Sequence, residues 1–303
     1  MCWSTSNPRI HRANIGNIAV TNPLATHFKG WAKPGPVPPG VLVPSEHPVE
    51  PHETLDAISG YFRLFQLREG HRFSTDDILV AWYGTSWCPT ARTALDLGSG
   101  IGTVGMISAW RLAGAKFVTV EAQKESVALA RKSAGFNGLT ERYEIREGDF
   151  RDPGILRADE KFDLITGSPP YFPTDAGVKS DHPQKLACRF ELRGTVADYC
   201  STAAKHLAAG GFFACVFPIE PAQMARVEAG AKTAGLIIVR KRPIVFRESE
   251  PPLVGLFGMM RSEDLPEWFR DQSWEEPPLI IRTQDGKIHS EYSAVKLAIG
   301  FPP

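Results

Sequence analysis

Residues 94–106, Ala-Leu-Asp-Leu-Gly-Ser-Gly-Ile-Gly-Thr-Val-Gly-Met, limit the folds open to this chain more than any other stretch. An apolar entry at Ala94 and Leu95 runs into Asp96, and glycines then stand at 98, 100 and 102. Behind them Thr103, Ile107, Trp110 and Leu112 carry helical spacing. The pattern predicts a strand, a tight glycine turn and a helix. Glycine suits that turn because, lacking a Cβ, it adopts positive φ and lets the backbone approach a ligand closely.

From Arg92 onward the alternation continues. Strands are predicted at 93–97, 116–121, 142–146, 162–167 and 211–217, and helices at 102–113, 123–136, 195–208 and 220–233. Further strand-like runs are Leu236–Arg240, Leu253–Met259 and Leu279–Arg282. Such an α/β order predicts a doubly wound, mainly parallel sheet with helices on both faces. Its ligands belong at the carboxyl ends of the strands. Ahead of it, Tyr61-Phe-Arg-Leu-Phe-Gln-Leu alternates like a strand and Arg68–Arg72 reads as a turn. Ser74 or Thr75 is then a candidate N-cap before Ile78, Leu79 and Trp82.

Three acids fall at predicted strand ends: Asp96, Glu121 and Asp149. Taken singly, an acid there is more often a cap or a solvated turn residue. Together they suit a nucleoside lying across the strand ends, with Glu121 on the ribose hydroxyls, Asp149 on an adenine amino group and Phe150 beside the ring. Gly100-Ile-Gly-Thr-Val-Gly does satisfy the dinucleotide pattern G-x-G-x-x-G, and Glu121 stands about where a nicotinamide enzyme keeps its ribose acid. The frame Asp96-x-Gly98-x-Gly100-x-Gly102 fits an S-adenosylmethionine turn better.

A dehydrogenase has no use for Ser168-Pro169-Pro170-Tyr171, at the end of the fourth predicted strand. Two consecutive prolines hold the backbone extended and remove two N–H donors. What remains is a rigid set of acceptors beside an aromatic ring, suited to a planar substrate with an amino group. An adenine amine is a poor nucleophile because its lone pair is delocalised into the ring. Acceptors on both of its hydrogens, Ser168 Oγ and the Pro169 carbonyl, would free that lone pair, and Tyr171 would stack on the base and aim it. Catalysis of this kind is positioning and electrostatics.

Asp96–Gly102, Glu121, Asp149 and Ser168–Tyr171 together resemble the class I S-adenosylmethionine-dependent methyltransferases that act on amino groups. The chain resembles more closely the bacterial tRNA (adenine-37-N6) methyltransferases acting on a valine tRNA. Gly70–Trp82 resembles the segment that family places before the glycine turn, Gly210–Pro218 its fifth strand, and Leu279–Arg282 with His289–Ser293 its C-terminal strand and helix. The likeness spans about residues 60 to 301. It implies a Rossmann-like α/β fold with a seven-stranded sheet and S-adenosylmethionine as cofactor. The cofactor contacts it implies are Phe73, Thr75, Asp96, Gly98, Gly100, Gly102, Glu121, Asp149 and Phe150. It implies catalysis at Ser168–Tyr171, with Tyr171 and Phe172 meeting the substrate. Ser168 stands where that family has Asn; serine occurs there among enzymes that methylate cytosine N4 in DNA. Protein-glutamine and guanine-N2 methyltransferases use a similar Pro-Pro-aromatic strand end, and a catalytically silent cofactor-binding subunit is a further alternative.

Charge offers no general attraction for RNA, since Lys+Arg and Asp+Glu are both 34. A local patch would have to serve. The connection after Tyr171 carries Lys179, His182, Lys185, Arg189 and Arg193, of which Lys179, Lys185 and Arg189 are candidate contacts for RNA such as tRNA; Arg240-Lys241-Arg242 with Arg247 forms a second cluster. Five cysteines, odd in number and without a CxxC pair, point to reduced thiols in a cytoplasmic setting and to no metal site. No apolar run reaches the roughly 20 residues of a membrane helix. Residues 1–55 are rich in proline and have no acid before Glu46. They are expected to form a Pro-rich arm, flexible or wrapped along a methyltransferase domain of residues 56–303, although a scarcity of acids also suits an organelle transit peptide. A monomer is expected.

Overall fold

Residues 25–173, Gln184 and residues 190–303 are described by a computed structural model. In chain order the elements are β1 (His27–Phe28), β2 (Trp31–Ala32), α1 (Pro39–Leu42), β3 (Glu53–Ser59), β4 (Phe62–Leu67), α2 (Thr75–Trp87), β5 (Thr93–Leu97), α3 (Thr103–Arg111), β6 (Lys116–Glu121) and α4 (Lys124–Phe136). Then follow β7 (Tyr143–Glu147), β8 (Phe162–Gly167), α5 (Val196–His206), β9 (Leu207–Pro218), α6 (Pro221–Thr233), β10 (Leu236–Val245), β11 (Val254–Arg261), β12 (Trp274–Glu275), β13 (Leu279–Ile280) and α7 (Ser290–Ala298).

The central sheet runs β10-β11-β9-β8-β5-β6-β7, with the short β12 and β13 both added to β10. Strands β5 to β9 are parallel, whereas β11 is antiparallel to β9 and to β10. The expected seven-stranded, mainly parallel sheet is therefore present, extended at one edge by two two-residue strands. Strand β9 explains why the sheet is buried on both faces. Phe212, Ala214 and Val216 enter one apolar core, with Leu79, Met106 and Phe136, while Phe213, Cys215 and Phe217 enter the other, with Leu97 and Tyr199. Alternate side chains of a strand point to opposite faces, so a continuous apolar run is what a doubly covered strand requires.

The segment ahead of α2 adds a hairpin to the bend expected at Arg68–Arg72. The hairpin turns at Gly60, with φ +50°, and pairs β3 with β4, while 68–72 leads into α2. Strand β3 also begins at Glu53, inside the segment 1–55 expected as an arm. The described part of that segment is applied to the domain: Val41 of α1 is buried in the same core as Phe136 of α4. Among the described residues no helix is long and apolar enough to cross a membrane, and Cys88, Cys200 and Cys215 are free thiols.

Candidate active site

A cavity of about 420 Å³ opens at the carboxyl ends of β5, β6 and β8. That volume is within the range of small-molecule sites. Its first wall grows from the glycine turn. Asp96 is buried; its Oδ2 accepts from the Gly105 amide at 3.0 Å and its Oδ1 from Thr166 Oγ1 at 2.8 Å, tying α3 and β8 to β5. Burial pushes the Asp96 carboxyl up to about 7. Glu121, also buried, accepts from the Gly100 amide at 2.8 Å and from the Gln123 amide at 2.7 Å, and burial raises its carboxyl too. Two positions in the turn need glycine. Gly98 has φ +60° and a Cβ there would strike the Tyr199 hydroxyl; Gly100 has φ +54° and its missing Cβ faces open space.

These features fit S-adenosylmethionine. The bare face at Gly100 admits a ligand against the backbone. A carboxylate offers about four lone-pair sites, so Glu121 retains acceptors for ribose hydroxyls beyond its two amides. Asp149 and Phe150 also line the cavity. Arg151 grips the Asp149 carboxylate at 2.9 and 2.6 Å and holds it below the usual range, and the Phe150 ring stands edge-on to Tyr199 with centroids 4.7 Å apart.

The segment before the glycine turn contributes differently from expectation. Phe73 and Thr75 are not among the cavity-lining residues; the Phe73 ring is tilted against Phe301, and Thr75 opens α2. Their neighbours His71, Ser74, Asp76 and Asp77 line the cavity instead. Ser74 is the N-cap, and it forms a capping box with Asp77, whose carboxyl burial raises to about 6. Gly102 is also absent from the lining and serves as the N-cap of α3 at φ +90°.

Ser168, Pro169, Pro170, Tyr171 and Phe172 form the second wall. They follow β8, whose register with β5 sets Gly167 beside Leu97 and so brings this strand end next to the glycine turn. The Tyr171 ring meets Phe217 edge-on, with centroids 5.7 Å apart and planes at 85°. Its hydroxyl donates to Asp76 Oδ2 at 2.6 Å. Phe172 is 40% exposed and tilted against Phe190. Lys179, Lys185 and Arg189 lie outside the described residues. Arg193, from the same connection, lines the cavity with an exposed side chain.

In the second basic cluster Arg247 is exposed beside Glu250, but Arg240, Lys241 and Arg242 do not form an open cationic face. Arg240 Nε donates to the buried Glu276 at 2.9 Å, and its guanidinium lies between the rings of Trp87 and Trp274. Glu276 also accepts from Tyr83 at 2.7 Å and faces Arg242, while Lys241 pairs with Glu275. Three cations are thus engaged in holding β12 to β10. The sequence reading missed Asp76, Asp77, His71 and Tyr199 as site residues. An acid in the first turn of a capped helix looks like a cap, and no local pattern marks the others.

Comparison with known proteins agrees with this geometry. Residues 78–189 match the methyltransferase small domain family. A tRNA1(Val) (adenine(37)-N6)-methyltransferase of Histophilus somni is 24% identical over 242 residues, which span 77% of this chain and 93% of the relative. A release factor glutamine methyltransferase of Geobacter sulfurreducens is 37% identical over 86 residues, 28% of either chain. Among solved structures, one described as a predicted O-methyltransferase from Agrobacterium tumefaciens shares the fold, with a TM-score of 0.55 at 17% identity over 75% of this chain and 98% of that one. Sheet order, family match and relatives agree, and the chain is a class I S-adenosylmethionine-dependent methyltransferase resembling the tRNA1(Val) (adenine(37)-N6)-methyltransferases.

Proposed function

We propose that the acceptor is an exocyclic amino nitrogen, and that it is N6 of an adenine in structured RNA such as a tRNA. The observation that carries this reading is the strand end Ser168–Tyr171 lining the same cavity as the glycine turn. S-adenosylmethionine, when bound, supplies a methyl group on a positively charged sulfur. Gly98 and Gly100 would hold it by close backbone approach, Glu121 by its ribose and Asp149 by its adenine amino group. Ser168 Oγ and the Pro169 carbonyl accept the two hydrogens of the substrate amine, which leaves its lone pair out of the ring system. Tyr171 stacks on the base. Pro169 and Pro170 contribute no N–H that could compete for the lone pair. The reaction needs no covalent intermediate, because a correctly aimed amine and a donor whose sulfur would leave as a neutral thioether suffice, the amine's surplus proton passing to water.

RNA suits this cavity because a nucleotide in a single-stranded loop can be splayed out and stacked at little cost. The relative from Histophilus somni is named for such an adenine, at position 37 of a valine tRNA. A second reading is a glutamine side-chain amide in a protein, favoured by the 86-residue likeness to a release factor glutamine methyltransferase. Labelled S-adenosylmethionine with total RNA and with a protein extract separates the two. Nucleoside mass spectrometry is expected to find N6-methyladenosine in the tRNA fraction. Unlabelled RNA beside methylglutamine in protein would instead establish the second reading.

A further inference from the structure

The hydroxyl of Tyr171 has a partner that the transfer reaction itself does not require. We propose that Asp76 is a positioning residue for Tyr171: its carboxylate, in the first turn of α2, accepts the phenolic hydrogen and fixes the direction in which the ring that stacks on the acceptor base points. This inference rests on the functional reading above, in which that ring is the stacking platform.

Besides its packing against both apolar cores, three contacts among the described residues restrain Tyr171, and each does a different job. Gln223 donates to its backbone carbonyl at 3.4 Å, a long bond that steadies the loop. The edge-on contact with Phe217 locates the ring but leaves it able to tilt, since a T-shaped pair tolerates a range of angles. Among the described residues, the 2.6 Å bond to Asp76 is what holds the far end. A bond from a hydroxyl to a carboxylate is shorter and about twice as strong as one between neutral groups. With both ends held, the long axis of the ring is fixed, and rotation about that axis is limited by the edge-on contact with Phe217 and by the preference of a phenolic O–H for the ring plane.

Asp76 is well placed to act as an anchor. The Ser74–Asp77 capping box fixes the first turn of α2, and Ile78, Leu79, Val80 and Ala81 bury the next turn in the core. A helix N-terminus favours an anion. Burial acts the other way and raises the Asp76 carboxyl, with the Tyr171 hydroxyl opposing that rise. Burial and the neighbouring Asp76 also push the Tyr171 phenol well above its ordinary value, so the proton stays on the tyrosine and the bond runs from phenol to carboxylate. The geometry has a consequence for transfer. Asp76, Ser74 and Asp77 line the same cavity as the glycine turn, so the tether sets the base platform against the part of the protein that meets the methyl donor.

The test places 3-fluorotyrosine at position 171 and reads its ¹⁹F resonance in the wild type, Asp76→Ala and Asp76→Asn, beside cofactor titration and transfer kinetics. The resonance is expected to move and broaden in Asp76→Ala and to return towards wild type in Asp76→Asn, whose amide oxygen still accepts. Cofactor affinity and KM for tRNA are expected to hold. kcat is expected to fall about tenfold in Asp76→Ala, as loss of one charge-assisted hydrogen bond implies. Tyr171→Phe should fall by the same factor, and the double variant no further. An unmoved resonance in Asp76→Ala overturns the proposal. So does a loss of cofactor affinity with the Tyr171 signal unchanged, or an additive double variant. Should the wild type leave tRNA unmethylated, the substrate reading fails on its own, and the fluorine signal still decides the role of Asp76. Asp76→Asn and Tyr171→Phe keep the test intact should the alanine variant fail to fold.

Discussion

The two walls of the cavity are held together by different means. The cofactor wall is bonded mostly over short stretches of chain: the Gly105 amide reaches back 9 residues to Asp96, and Glu121 binds the amides of Gly100 and Gln123, 21 and 2 residues away, with the bond from Thr166 to Asp96, across 70 residues, as its long-range tie. The acceptor wall depends on distant partners, with Asp76 lying 95 residues from Tyr171 and Gln223 lying 52 residues from it. The difference matches what each wall has to do. A cofactor common to many reactions can be held by one continuous strand-turn-helix-strand unit. An acceptor must be aimed at it, and aiming draws on elements that only the folded sheet brings together.

The largest effect that would sharpen this contrast is expected from Tyr171→Ala. Without the platform the amine is misaligned, and kcat should fall on the order of 10²-fold in a single-turnover assay. Gly98→Ala attacks the other wall. A Cβ at φ +60° costs about 1–2 kcal/mol and meets the Tyr199 hydroxyl. The melting temperature and the cofactor affinity should therefore fall together. Asp149→Ala should weaken cofactor binding about tenfold in a calorimetric titration while leaving the fold in place, since one charge-assisted hydrogen bond is lost.

A smaller effect lies in pH. Burial lifts Asp96 from an ordinary 3.8 to about 7, and Asp77 shifts in the same direction, to about 6. Within that window the folded protein holds more protons than the unfolded chain, so stability of the cofactor-free protein falls as pH rises from 3.8 towards 7. Asp96→Asn should flatten the plot of melting temperature against pH. The smallest effect on either wall is expected from Arg240→Ala. Its guanidinium is already taken by Glu276 and two tryptophan rings, so melting temperature should drop while KM for RNA and kcat stay at wild-type values.

Legibility in the sequence divides along the same line. Strands 93–97, 116–121 and 162–167 lie where their apolar runs put them, because a strand covered on both faces leaves a continuous hydrophobic trace. Ser168–Phe172 could be placed because two prolines at a strand end are conspicuous. Strand β3 is not evident in the sequence because Glu53–Ser59 carries Glu53, Thr54 and Asp56 and lacks that trace. Its Ser59-Gly60 pair was the available turn signal. Asp76 was read past for a different reason. An acid in a first helical turn suits the helix dipole, and nothing near it in sequence announces Tyr171. Arg240–Arg242 misled because a run of cations looks the same whether solvent or Glu276 faces it.

Paired titrations of S-adenosylmethionine into Tyr171→Ala and Asp149→Ala test the division into two walls most directly. Tyr171→Ala should bind the cofactor as the wild type does despite having lost transfer, while Asp149→Ala binds it more weakly. Equal loss of cofactor affinity in the two variants would contradict the account, because a single undivided site would then hold both molecules.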